Sequence, residues 1–346
     1  MKRRTGVIIF GIIVGVLIAL AVVVGIVALA VFDVTGKRGS GLEKAFVYDI
    51  QELVTIDPNL ILYEESGQAI RTGFKAAHGI ALGADERIYV AGDKAVEIFE
   101  KSGTFSGRIE IAGAPRCLTV ADDGEIYIGV GDHVEVYDGR RKRLASWGGL
   151  GEKALLTSIA VFKDDVFVAD AGNRIVVRYD TAGKVVNYIG KKDPDRNVPG
   201  FVVPSPYFDL AVSKDGLLRV VNTGRRRIEA YTFDGDFEFS WGEASAGVEG
   251  FCGCCNPVNF AILPGGGFVT CEKGLVRVKV YNSEGIFVGV VAGPEQLVGG
   301  GICRVCEFPA ECQASGFDVA VDGDGRIFVL DTIKNVVRIF GKIKGQ

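Results

Sequence analysis

Histidine is nearly missing from this sequence: His78 and His133 are the only two in 346 residues. A metal centre built mainly from imidazoles is therefore excluded. The chain also lacks an H-E-x-x-H helix, a G-x-S-x-G elbow and a phosphate-cradling glycine loop, which removes zincin, serine-hydrolase and P-loop chemistries. The carboxylate pairs Asp122-Asp123 and Asp164-Asp165 fall in turns between short apolar runs and read as turn formers, not acid–base pairs. Basic clusters are scarce as well. Past the first four residues only Arg140–Arg143 and Arg225–Arg227 stand out, and the formal net charge is −4, so nucleic acid is not a predicted partner.

One stretch has no charge at all. Gly6 to Phe32 is almost wholly Val, Ile, Leu, Ala and Gly. As a helix it would run roughly 40 Å at about 1.5 Å per residue, enough to cross a hydrocarbon layer of about 30 Å. Lys2, Arg3 and Arg4 precede it and keep the N-terminus cytoplasmic by the positive-inside tendency. Ala28-Leu29-Ala30 offers a signal-peptidase-like site, but the apolar run is about twice the usual signal core of about 7–15 residues. The sequence thus predicts a cytoplasmic start at 1–5, a single-pass anchor of the inner membrane at 6–32, a linker at 33–44 and a periplasmic or external remainder. Without the three leading basic residues that remainder carries 36 basic against 43 acidic residues. Gly11 and Gly15 form a GxxxG spacing through which two such helices would pack as a dimer.

From His78 onward a pattern recurs at close to 40 residues: a short apolar strand, an Asp/Gly turn, a second strand, a polar loop, and a third strand ending in an aromatic. Ser158 to Asp170 followed by Gly172 to Tyr179 is the plainest copy. Equivalent first strands begin near His78, Cys117, Leu156, Tyr207, Val258 and Phe317. Short strands at this period, separated by turn residues, predict an all-β, six-bladed propeller over residues 78–346. The last blade has strands at Phe317–Val321, Arg326–Leu330 and Val336–Gly341, and then only five residues remain. Its fourth strand must come from residues 45–77, with Phe46–Tyr48 and Leu60–Tyr63 the β-rich candidates, because an open edge would leave backbone groups unpaired. The segments Asp170 to Tyr179 and Val321 to Asp331 resemble NHL repeats. That resemblance implies a six-bladed β-propeller of the NHL family, whose members bind protein, RNA or small ligands and include a few lyases and hydrolases.

The unusual chemistry lies in eight cysteines. In a propeller whose strands are lettered a to d from the axis outward, the d–a and b–c connections share one face. Cys252, Cys254 and Cys255 precede strand a of the fifth blade within an insertion at 243–257. Cys271 ends strand b of that blade. Cys303, Cys306 and Cys312 lie in a second insertion at 294–316, and Cys117 opens strand a of the second blade. All eight are therefore expected on the d–a face. Cys252/Cys255 and Cys303/Cys306 are two C-x-x-C pairs, the spacing that presents four thiolates to zinc, to iron or to an iron–sulfur cluster. Disulfides serve an exported protein equally well, and reactive free thiols are a third reading. Cys254, Cys271 and Cys312 are the reserves in each case.

The pieces Ile56 to Glu65, Gly253 to Pro257 and Glu272 to Tyr281 are similar to an exported, membrane-anchored group of bacterial NHL proteins with a Gly-Cys-Cys-Asn-Pro loop. The resemblance implies a specialised role for that loop and supplies no activity. A second, smaller candidate site joins Cys117 with His78 and His133, all expected on the same face. The multi-histidine axial metal of the peptidylglycine-amidating type of NHL lyase has no counterpart here. The sequence therefore predicts an anchored binding or scaffold subunit that meets another membrane or exported protein through its cysteine-rich face. Thiolate-bound iron or an iron–sulfur centre in electron transfer is the alternative, and NHL-type lyase or hydrolase chemistry a further one.

Overall fold

A computed structural model of the chain describes residues 13–25, 53–298 and 316–345. The chain divides into two compact units, residues 1–50 and 51–346. In the first, residues 13–25 are helical and their large apolar side chains, from Ile13 to Val24, are 37–62% exposed. Among the described residues no helix is long and apolar enough to cross a membrane; the remainder of segment 6–32, Gly11 included, lies outside them.

The second unit is a ring of six antiparallel sheets, each wound outward from its first strand. Blades I to VI span residues 77–110, 115–146, 156–189, 210–241, 259–292 and 318–342, the last completed by 63–71. Strands b carry apolar or small residues, as in Ile88–Gly92 and Ile126–Val130, or end in a buried aspartate, as in Ile327–Asp331, and are buried at every position. Both faces of such a strand meet a neighbouring blade, so alternation is lost. Outer strands alternate, as Phe105–Glu110 does, because one of their faces meets water.

Six apolar clusters fill the six gaps between neighbouring blades. Trp147 and Trp241 occupy equivalent outer positions in blades II and IV and pack on aromatic neighbours, Tyr127 and Tyr179 for the first, Phe268 and Tyr281 for the second. They are core residues.

The b–c turns repeat one device. Asp170, at the end of strand b in blade III, accepts hydrogen bonds from the backbone N–H groups of Leu155, Gly172 and Asn173, at 3.0–3.1 Å. Asp331 in blade VI accepts from Ile333 and Lys334 in the same way. Each turn then passes through a left-handed residue, Arg174 or Asn335, with φ near 55°. These are the segments that carry the NHL resemblance, and the buried aspartate is the physical reason for the pattern.

Ring closure falls to the N-terminal segment of this unit. Tyr63–Glu65 pairs antiparallel with Phe340–Lys342, and Ile70–Arg71 pairs with Val336 and Val337. The pairing thus starts where the candidate Leu60–Tyr63 ends; Phe46–Tyr48 lies outside the described residues. Arg338 anchors the closing strand, its Nε donating to Glu65 Oε1 at 2.9 Å and its Nη1 to the Gln296 carbonyl at 2.9 Å. The Arg338 guanidinium holds the Glu65 carboxyl below its ordinary value, chiefly through that hydrogen bond. Just upstream, Leu62 N donates to Val290 O at 3.0 Å and Leu62 itself packs on Gly289, so the same segment also ties blade V to blade VI.

Deleting residues 56–71 should therefore lower the urea midpoint and bring on aggregation, because the edge of Val336–Lys342 loses its partner. Removing only residues 344–346 should leave the midpoint unchanged. Equal midpoints for the two truncations would mean the ring is closed by something else.

Candidate functional site

Strand a of every blade begins at the axis, and one register position recurs in all six: Gly79, Cys117, Ser158, Asp209, Asn259 and Asp318. Most of these residues reach across to the next blade. Asp209 Oδ2 accepts from Phe260 N at 2.7 Å, Asn259 Nδ2 donates to Phe317 O at 2.7 Å, and Asp318 Oδ2 accepts from Ile80 N at 2.9 Å. Ser158 Oγ donates to Leu210 O at 3.3 Å. Gly79 has no side chain because a Cβ there would stand 2.9 Å from Arg116 O. A belt of hydrogen bonds thus runs from blade III through IV, V and VI back to I.

Burial raises the Asp209 and Asp318 carboxyls above their ordinary value, and for Asp318 the negative charge of Asp209 adds to it. Two carboxylates close together in a protein channel cannot both ionise freely.

Above the belt the channel widens into a cavity of about 370 Å³ on the d–a face, lined among others by Lys75, His78, Arg116, Thr157, Tyr207 and Asn259. Among the described residues neither the Lys75 ammonium nor the Arg116 guanidinium has a carboxylate partner, and both are exposed. Lys273 adds a third cation at the rim, its Nζ 4.9 Å from the centre of the Tyr207 ring. The lining thus sets Lys75 and Arg116 beside the carboxyl of Asp318.

Beside this mouth sits the insertion 243–257, and it is held from beneath by charge. Glu272, Arg277 and Lys279 are all fully buried. Arg277 Nε and Lys279 Nζ lie 2.6 and 3.0 Å from Glu272 Oε2. Glu272 Oε1 accepts from Cys252 N at 2.9 Å, Arg277 Nη1 donates to Gly247 O at 3.2 Å, and Lys279 Nζ donates to Gly250 O at 2.5 Å. Burial pulls the Lys279 ammonium down to about 8 despite Glu272. Asn256 completes the clamp: its Nδ2 donates to Cys252 O and Lys273 O, and its Oδ1 accepts from Lys273 N, all within 2.7–2.9 Å.

The cysteines separate by environment. All five described cysteines are free thiols. Cys271 is fully buried in the cluster between blades V and VI, and Cys117 is buried between blades II and III. Desolvation pushes both thiols well above the ordinary value, so they pack as small apolar residues. Cys252, Cys254 and Cys255 form the loop beside the mouth, and Cys254 is exposed. Val258 N donates to Cys271 O at 2.9 Å, which sets this loop at the same end of the blade as Cys271. Cys303, Cys306 and Cys312 lie outside the described residues, so two of the four preferred metal ligands, Cys252 and Cys255, are described. Among the described residues no three His, Cys, Asp or Glu side chains stand close enough to hold a metal.

No hydrogen bond among the described residues joins any two of His78, Cys117 and His133. His78 lines the cavity, where burial and the Arg116 charge lower its pKa. His133 turns outward to Asp132 and Glu135, at 3.2 and 3.7 Å.

No family model and no curated protein matches the sequence. Solved structures do match, as propellers. A streptogramin B lyase superposes with a TM-score of 0.55 at 9% identity, covering 82% of this chain and 98% of that one. A protein of unknown function from Bacteroides thetaiotaomicron gives 0.58 at 15% identity, covering 80% and 73%. The WD40 propeller domain of Doa1 gives 0.53 at 13% identity, covering 82% and 98%. Likeness at these identities establishes the propeller fold.

Sequence reading missed the cavity's Arg116 and the Glu272–Arg277–Lys279 cluster. The second left a signal: Arg277 and Lys279 stand two apart in a strand whose remaining residues are apolar, where exposure alone would not place both on the covered face.

Two outcomes follow. Replacing Glu272 with Ala strands two buried cations and should cost about 3–5 kcal/mol in urea unfolding; a loss under about 1 kcal/mol would mean the network is not holding the insertion. For the axial carboxyls the folded values are raised, so their stabilising protonation is complete below the unfolded value of about 4 and is lost as pH climbs through the folded values. The stability of the native chain relative to Asp318→Asn should accordingly shrink between about pH 4 and about pH 7. A difference independent of pH would show Asp318 already ionised throughout.

Proposed function

We propose that this chain is a membrane-anchored, extracytoplasmic binding module. Its axial mouth on the d–a face receives an acidic group of another exported or membrane protein. The observation that carries the reading is the cavity entrance, where among the described residues Arg116 and Lys75 have no carboxylate partner, within a chain of net charge −4. Exposed cations beside a concave, partly apolar wall recognise carboxylate or other acidic groups by charge-assisted hydrogen bonds. Tyr207, Thr157 and Asn259 supply orientation around the rim, with Thr157 Oγ1 already committed to Phe208 O at 2.6 Å. The stapled insertion 243–257 gives this side of the mouth a fixed shape. Anchoring rests on segment 6–32, with its basic start, and on the exposed apolar side chains of helix 13–25. The lyase reading would have to use His78 and Asp318, which both line the cavity, and among the described residues no hydrogen bond joins them.

The test uses the full chain in intact cells. A photoreactive residue replacing Arg116 should give one discrete covalent adduct, and adding Lys75→Glu should abolish it. The same photoreactive residue at exposed Asp123, in an a–b turn on the other face, should give none. Matching adducts at both positions, or no adduct at Arg116, would defeat the proposal. Protease added to spheroplasts should degrade the propeller; a protected propeller would defeat the topology.

A further inference from the structure

Cys254 and Cys255 are neighbours in sequence, and their Sγ atoms lie 3.4 Å apart. Their settings differ. Cys254 is exposed, whereas Cys255 is buried. The loop that carries them has little freedom. Gly253 enters it at φ +80°, a conformation that side-chain-bearing residues rarely adopt. Asn256 closes it through three hydrogen bonds to Cys252 and Lys273, and the Cys252 N–H is fixed on buried Glu272. Contact with Cys255 and burial hold the Cys254 thiol above its ordinary value, while the Lys273 ammonium draws it down. The same Lys273 covers Tyr207 at the cavity mouth, where the charge of Cys255 is also felt.

We propose that Cys254 and Cys255 are a redox-active vicinal thiol pair that exchanges two electrons with an external low-molecular-weight disulfide. Unequal exposure assigns the roles. Cys254, as thiolate, attacks one sulfur of the disulfide, forming a mixed disulfide and expelling one thiolate, which takes up a proton. Cys255 then loses its proton and attacks Cys254 Sγ, forming the Cys254–Cys255 disulfide and expelling the second thiolate, which is protonated in turn. The protein loses two electrons and two protons, and the external disulfide becomes two thiols. Exchange of this kind needs an accessible attacking sulfur and a resolving sulfur within reach, and the rate follows the thiolate fraction of the attacker. The loop supplies both. This inference goes beyond the binding reading, since it does not depend on what enters the cavity.

The experiment treats the reduced full-length protein in detergent with glutathione disulfide and maps the products by proteolysis and mass spectrometry. The native chain should yield a peptide carrying both Cys254 and Cys255 that has lost two hydrogens, with glutathione released. Cys255→Ser should instead accumulate a glutathionyl adduct on Cys254, because nothing resolves it. Cys254→Ser should react at least about tenfold more slowly, since Cys255 is buried. Circular dichroism of both variants should match the native chain, as each change replaces one atom. A disulfide from Cys254 or Cys255 to Cys252, Cys303, Cys306 or Cys312 would overturn the proposal, as would an unreactive Cys254 in a folded protein. Failure of photocrosslinking at Arg116 would leave this result unaffected, so the two readings fail separately.

Discussion

A propeller must meet itself. Six wedge-shaped sheets converge on one axis, and the inner end of each strand a has room for only a small residue. In this chain one register position absorbs that constraint, through Gly79, Cys117, Ser158, Asp209, Asn259 and Asp318. Four of these bind the backbone of the next blade, at 2.7–3.3 Å. Each such bond is worth only about 0.5–1.5 kcal/mol net. Their arrangement matters more than their sum, because they tie together, at the axis, four of the six neighbouring pairs of blades. The cavity above the belt, and the ring of side chains that faces it, inherit their positions from the same residues.

Much of the architecture could be read from the chain. The period near 40 residues, the apolar first strands and the missing fourth strand of the last blade lead to a six-sheet ring completed from upstream. The first strands found by pattern at His78, Cys117, Leu156, Val258 and Phe317 lie within a residue or two of the observed ones. Blade IV was harder: its strand a is only Leu210–Val212, because Pro204 and Pro206 delay pairing. The candidate site was much less legible. Among the described cysteines, Cys271 and the 252–255 loop do lie at one end of blade V, but burial separates Cys117 and Cys271 from the loop thiols. Burial depends on what the neighbouring blade presents, and a single strand pattern does not contain that information. The cations of the mouth come from different blades, 41 residues apart for Lys75 and Arg116, and converge only when the ring is formed.

The two kinds of buried charge in this ring play different parts. Glu272 with Arg277 and Lys279 is a fully dehydrated cluster whose spare hydrogen bonds go to the backbone of the insertion 243–257. Such clusters add little net stability compared with an apolar core, but they define one conformation, since any displacement leaves a charge without a partner. The axial carboxyls work the other way, resisting ionisation together while each accepts backbone N–H groups. The cluster thus shapes a surface, and the axial pair holds the channel that this surface overlooks.

The closing strand has a consequence for how the protein is made. Tyr63–Glu65 leaves the synthetic machinery before every blade, yet its partner Phe340–Lys342 follows only after blades I to V and the rest of blade VI. Contacts so distant along the chain form slowly. Throughout synthesis the growing ring therefore exposes two unfinished sheet edges, one at each end. Every blade before the sixth can assemble on its predecessor, but the circle is sealed in a single late event. A chain cut short by even one C-terminal hairpin would remain an open arc, with edges available to any other unpaired strand. Quality control of such a protein is in effect a question about the one strand, Val336–Lys342, that seals the ring.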